Sequence, residues 1–279
     1  MSDKASTIYY ASSISEAQLI MKNISGISIV AGGTEIARKQ TGPLISLPPD
    51  VLAIAKVPEL NTVNKTERYI DFGSCMTMND LIKLGRKNVP EVLFRAIRGI
   101  GNPAIRSIAT IGGNISSKDR RLSTFAPLLA LDARLEIRTK DEADWIPIGR
   151  YFSNVEQLRP AETELISKIR IPTENWDISY YRRLGRPGII EETTASFVCL
   201  VKSQKDILSD IRIAWAGRKF FRNREFENLL IGRGLPLSEK EITNVLEKAE
   251  PFFSPSFFAS PYEKKCLFNL LEVALRMLT

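Results

Sequence analysis

The 279 residues, 44% of them hydrophobic, are enough to bury a sizeable core and exceed the usual single domain, so two or three packed units are expected. The absence of histidine excludes Ser–His and Cys–His nucleophilic catalysis. The three dispersed cysteines, Cys75, Cys199 and Cys266, form no CxxC pair and argue against a zinc or iron–sulfur site built from this chain alone. A formal charge of +7 admits nucleic acid, an acidic protein or a phosphate-bearing ligand, and the sign alone does not choose among them.

In chain order, "MSDKASTIYYASS" has neither an apolar core nor a cleavage-like site. No apolar run approaches the roughly 18 residues a bilayer crossing needs, so a cytoplasmic protein with no membrane partner is expected. "SISEAQLIMKN" opens with a capping-box pair, Ser13 and Glu16, and predicts a helix stopping around Asn23 and Gly26. "ISIVA" predicts a short strand ending at Gly32, followed by a tight turn and a brief helix. "EVLFRAIRGIGNP" predicts a helix ended by Gly99 and Pro103, and "IRSIATIGGNIS" an irregular extended segment containing a second Gly-Gly turn. A helix and an alternating strand, Arg134 to Thr139, follow. After the strand "LISKIRIP" the character changes near residues 172–178. "ASFVCLVKS" and "SDIRIAWAG" predict long antiparallel strands, and "LSEKEITNVLEKAE" and "YEKKCLFNLLEVALRML" two closing helices.

The doubled glycine device, "SIVAGGTEI" and "SIATIGGNIS", is the one internal echo. A glycine pair lets the backbone take positive φ, converging N–H groups into an anion-binding concavity, and the missing Cβ admits a ligand closely. Two such turns suit a diphosphate, with Thr34 and Asn114 adding a hydroxyl and an amide; a single Gly-Gly more often marks an ordinary turn.

"YYASSISEAQLIMKNISGISIVAGGTEI", "LAIAKVPELNTV", "IDFGSCMTMNDLI", "IGNPAIRSIATIGGNIS" and "APLLALDARLEI" together resemble the FAD-binding subunit of molybdenum hydroxylases, the xanthine dehydrogenase and carbon monoxide dehydrogenase family. "YYRRLGRPG", "IRIAWAG" and "LSEKEITNVLEKAE" resemble that family's second domain. The resemblance implies an α+β chain: a bicyclic FAD-binding fold of the vanillyl-alcohol-oxidase-like (PCMH) type over residues 1–174, with subdomains split near 55–60. A C-terminal α+β domain, an antiparallel sheet plus helices, would cover 175–279. It implies FAD as cofactor, lying between subdomains with its diphosphate on the two glycine loops. Carried over by position, the first loop is Ile29, Val30, Ala31, Gly32, Gly33, Thr34 and Glu35, the last usually Asp in relatives. The second loop is Thr110, Ile111, Gly112, Gly113 and Asn114. Leu165 matches a position that contacts the flavin side, and Arg182 a cation beside the isoalloxazine ring, where it stabilises reduced, anionic flavin.

One departure is marked. Relatives follow the second loop with small residues and a cofactor-binding Asp; here "SSKDRRLSTFAP" puts Ser123 at that place and Lys118, Asp119, Arg120 and Arg121 before it. Rearranged flavin binding is the expectation, with the arginines available to phosphate. Flavin supplies its own redox chemistry, so no catalytic residue is assigned and the lack of histidine is consistent. The implied partners are a molybdenum-cofactor large subunit and a 2Fe-2S small subunit, with NAD+ or another acceptor downstream. The alternatives are a stand-alone FAD-dependent reductase and a degenerate, cofactor-free scaffold subunit. "AGRKFFRNREF" reads as a basic turn and not as a nucleic-acid surface. Cys75 reads as a buried thiol, Tyr180 and Tyr181 as packing at the domain interface or, alternatively, as rings that stack on a flavin, and Asp132 as a turn residue.

Overall fold

The computed structural model describes residues 6–40, 42, 45–117, 120–139, 142–153, 164–254 and 256–278. The chain divides into two compact units, the first from 1–89, 100–117 and 132–173, the second from 90–99, 118–131 and 174–279.

In the first unit, β1 (Thr7–Tyr10), β2 (Ser28–Val30) and β3 (Asp50–Ala53) form a parallel sheet in the order β1-β3-β2. Parallel strands need crossovers, and the helices Ile14–Asn23 and Thr34–Arg38 lie in them. Ser13 caps the first of these, accepting from the Glu16 amide at 3.1 Å. The Glu16 carboxylate does not complete the expected box; it accepts from the Ser12 amide at 2.7 Å instead. Leu52, Ala17, Met21, Val57 and Leu60 make the core beneath this sheet.

A second sheet in this unit is antiparallel. It contains β4 (Val63–Lys65), β5 (Tyr69–Gly73), β6 (Arg134–Arg138), β7 (Ala143–Pro147) and β8 (Leu165–Pro172) in the order β4-β5-β8-β6-β7. The alternation in β8 buries Leu165, Ser167, Ile169 and Ile171 and turns Lys168 and Arg170 outward. Each buried aliphatic side chain contributes roughly 1.5–3 kcal/mol. Arg170 pairs bidentately with buried Asp71 at 2.7 and 2.8 Å and lies against the rings of Tyr69 (3.7 Å) and Trp145 (3.9 Å).

The second unit is built on an antiparallel sheet of β9 (Ile178–Leu184), β10 (Ala195–Gln204), β11 (Ile207–Ala216) and β12 (Phe220–Phe221), in the order β12-β11-β10-β9. Lys205 and Asp206, both at positive φ, make the two-residue turn of the β10–β11 hairpin, whose twist suits left-handed residues. Ala195–Val201 are all buried, so both faces of β10 are covered. The helices Glu239–Ala249 and Pro261–Arg276 pack on Phe197, Cys199, Val201, Ile213 and Trp215. Glu91–Arg98 and Phe125–Ala130 also pack on this sheet. These last two helices come from the first 174 residues. Their apolar side chains, Leu93, Ile97, Phe125 and Leu128 among them, are almost wholly buried. Fully buried Glu227 is held by Arg222 at 3.0 Å and by the Ile213 amide at 2.9 Å, the pairing a buried carboxylate requires. No helix among the described residues is long and apolar enough to cross a membrane.

Candidate functional site

In the first unit, β2 delivers Ile29 and Val30 to Ala31, and the chain turns at Gly32 and Gly33 into the helix Thr34–Arg38. Gly33 is left-handed at φ +66°, followed directly by right-handed Thr34, a change of hand that turns successive amides toward one side. A Cβ on Gly33 would meet nothing nearer than Val30 Cγ1 at 3.8 Å, so the turn is open there. The first amides of a helix lack intrahelical acceptors. Among the described residues, the N–H groups of Gly32, Gly33, Thr34 and Glu35 donate to no other acceptor either.

The second loop has a different construction. The expected extended turn is a short helix, Ile111–Ile115, with both glycines inside it and neither at positive φ. Its amides are engaged internally: Ile111 donates to the Met76 carbonyl (3.0 Å), Gly112 to Ser74 (2.8 Å), Gly113 to Thr110 Oγ1 (3.1 Å) and Asn114 to the Thr110 carbonyl (3.0 Å). Gly112 is required by contact, since a Cβ there would fall 2.7 Å from the Ser74 carbonyl oxygen. Gly113 is exposed, and Asn114 half-buried.

The two loops are brought together. A Cβ on Gly32 would lie 1.7 Å from the Ile108 carbonyl oxygen, so the backbones touch where only glycine fits. Ser117 Oγ donates to Glu35 Oε1 at 3.2 Å. Burial acts to raise the Glu35 pKa, but hydrogen bonds from Arg38 and Ser117 and the charges of Arg38 and Lys39 outweigh it, holding the carboxyl below its ordinary value. Arg38 meets it at 2.6 and 2.8 Å. Glu35 therefore ties the loops while its charge is compensated. Open amides on one loop, against a wall whose exposed glycine permits close approach, fit an anionic group such as a diphosphate.

The profile of the family "FAD binding domain in molybdopterin dehydrogenase" matches residues 4–174. The chain belongs to this family. It is similar to the glyceraldehyde dehydrogenase medium chain of Sulfolobus acidocaldarius, 24% identical over 88% of this chain and 87% of that one. It is also similar to rat aldehyde oxidase 2 (24% identical, 68% of this chain) and Arabidopsis thaliana xanthine dehydrogenase 2 (25%, 76%), but spans only 15% and 17% of those proteins. Among solved structures, carbon monoxide dehydrogenase of Hydrogenophaga pseudoflava matches with TM-score 0.84 at 20% identity, covering 100% of this chain and 98% of that one. Quinoline 2-oxidoreductase of Pseudomonas putida 86 matches with TM-score 0.77 at 15% identity, covering 100% and 96%. The fold is thus the α+β, PCMH-type flavoprotein fold. The chain carries the FAD-binding domain of the molybdopterin dehydrogenases, a family of oxidoreductases, and FAD is its cofactor.

Of the other expected site residues, Leu165 is buried in the first unit's core, in the cluster that Ala31 borders. Ser123 and Arg182 belong to the second unit. Ser123 is half-buried with its hydroxyl beside the Tyr181 phenol, which burial pushes up to about 12 and keeps neutral. Arg182 is exposed and its Nε donates to the Tyr180 hydroxyl at 3.3 Å; Tyr180 itself packs edge-on against Phe197. Arg120 and Arg121 are not poised for phosphate: Arg120 is bonded to backbone carbonyls, and Arg121 is drawn over the Phe125 ring at 5.2 Å, where burial lowers its pKa. Lys118 and Asp119 lie outside the described residues.

Cys75 is a packing thiol, raised to about 11 by burial. Asp132 turns the chain at φ +53°, a conformation Asp tolerates. In the basic run after β11, Lys219 donates to the Ser256 carbonyl, Arg222 pairs with Glu227 and Arg224 with Asp210. Sequence reasoning missed Ser117, the strut to Glu35, and the Ser74–Met76 segment that holds the second loop. Gly73, where a Cβ would meet the Leu60 carbonyl oxygen at 2.2 Å, was the available signal for close packing there.

Proposed function

We propose that this chain is the electron-transfer subunit of a multisubunit molybdenum hydroxylase, standing between the iron–sulfur clusters of a small subunit and NAD+ or another acceptor. A large subunit would carry the molybdenum cofactor and select the substrate. The observation that carries the reading is the set of unengaged amides at Gly32, Gly33, Thr34 and Glu35 in a chain of this family. In the proposed site, residues 29–35 hold the diphosphate, with Thr110, Ile111, Gly112, Gly113 and Asn114 as the wall beside it. Leu165, Ser123 and Arg182 supply further contacts, and the domains divide at 174/175. Bound flavin supplies hydride and one-electron transfer; the chain supplies binding, orientation and charge. Arg182 is the cation in this arrangement, so Arg182→Ala lowers the flavin reduction potential while sparing binding. An unchanged potential would make Arg182 a surface charge only.

Purification of the native complex tests the function. The reading expects flavin absorbance on this chain and copurifying molybdenum and 2Fe-2S subunits. A stable monomer that turns over a small substrate with a nicotinamide alone would favour the stand-alone reductase. Failure to take up FAD on reconstitution would favour the cofactor-free scaffold that the Ser123 departure suggests.

A further inference from the structure

The segment Arg120–Ser123 has an unusual anchor within the second unit. One guanidinium, that of Arg120, donates through Nη1 to the carbonyl oxygens of Glu191 and Thr194, the latter at 3.0 Å, and through Nη2 to that of Glu192 at 2.8 Å. The next residue continues the attachment, the Arg121 amide donating to the Gly217 carbonyl at 2.7 Å.

The turn that receives Arg120 joins β9, which carries Tyr181 and Arg182, to β10. Glu191 N–H donates to Thr194 Oγ1 at 2.8 Å and Thr194 N–H returns to the Glu191 carbonyl at 3.0 Å. Arg183 holds its other half, donating to the carbonyls of Gly185 (3.2 Å), Arg186 (2.7 Å) and Ile189. Turn carbonyls have no ladder partners, and a planar guanidinium satisfies several at once with fixed geometry. An ammonium on a flexible stem does not. Ser123 follows Arg120 by three residues and sits beside Tyr181, so the clamp fixes the stretch leading to that hydroxyl.

We propose that Arg120 is a positioning residue for FAD. By locking residues 120–123 onto the 191–194 turn it presents the Ser123 hydroxyl in one place. Arg120 itself touches no part of the cofactor. The proposal rests on the reading of this chain as a FAD carrier that uses Ser123.

The test uses the full chain, titrated with FAD by flavin fluorescence, with Arg120→Ala and Arg120→Lys, and amide hydrogen exchange on the same samples. Arg120→Ala binds FAD about tenfold more weakly, Lys does not restore binding, and the visible circular dichroism of the bound flavin changes, as expected when a contacting group is misplaced. Exchange accelerates at Arg121 and Thr194 while Val198–Val201 in β10 stay protected. Wild-type affinity and flavin dichroism in Arg120→Ala would overturn the proposal, as would acceleration spread evenly through β10, which marks general loosening. An unmutated chain that takes up no FAD overturns the reading beneath it as well, and that failure is visible before any variant is made.

Discussion

The two glycine loops carry the same two letters and use them for different physics. In the first, Gly33 takes a left-handed conformation and leaves its neighbours' amides open, while Gly32 lets the backbone press against Ile108. In the second, Gly112 and Gly113 are right-handed, sit within a helical turn and have their amides engaged by Ser74 and Thr110. In the proposed site the first loop is the cradle and the second the wall that backs it. A Gly-Gly pair thus reports that a side chain is unwelcome, without telling whether conformation, packing or a ligand makes it so.

Substitutions separate these causes. The largest effect is expected at Gly32→Ala, because the new Cβ would fall 1.7 Å from backbone that cannot swing aside. A loss above about 3 kcal/mol, measured by denaturant unfolding, is the expectation. Little change would mean that the loops part readily. Gly33→Ala forces a side chain into the left-handed region at a cost of about 1 kcal/mol, and weakens FAD binding more than it weakens the fold. Titration with FAD and thermal melts of the same variant measure the two separately. Thr110→Val removes the cap on Gly113 and costs about 1 kcal/mol of stability, leaving first-loop amides untouched. A FAD loss as large as that of Gly33→Ala would erase the distinction between cradle and wall.

The smallest effect is that of Glu35. Its carboxyl lies below the ordinary value of 4.5 in the folded chain, so the stability it lends is complete above that pH and is lost as pH falls through the folded value. Glu35→Gln removes that part of the acid dependence, amounting to less than about 1 kcal/mol for a partly exposed pair. Unfolding curves of both proteins between pH 7 and pH 3 reveal it as a difference. Identical slopes would deny Glu35 its role as a charged strut.

Much of this was legible in the sequence. Ser13 announces its cap, and "LISKIRIP" its strand, by local chemistry that the folded chain keeps. The helix over Ile111–Ile115 was not legible, because two glycines disfavour helix and only the Thr110 cap and the Ser74–Met76 backbone make it form. Nor could apolar patterning reveal that Glu91–Arg98 and Phe125–Ala130 pack with strands from beyond residue 174, since a hydrophobic face does not name its partner. The arginines of "KDRRLS" looked available to phosphate because long-range backbone carbonyls leave no trace in sequence.

The account stands on which amides meet the diphosphate. Backbone amide resonances of the isotope-labelled chain, followed as FAD is added, answer this directly. The N–H signals of Gly32, Gly33, Thr34 and Glu35 should move strongly downfield, while those of Ile111, Gly112 and Gly113 should change little. Large shifts confined to the second loop, with the first unmoved, would contradict it.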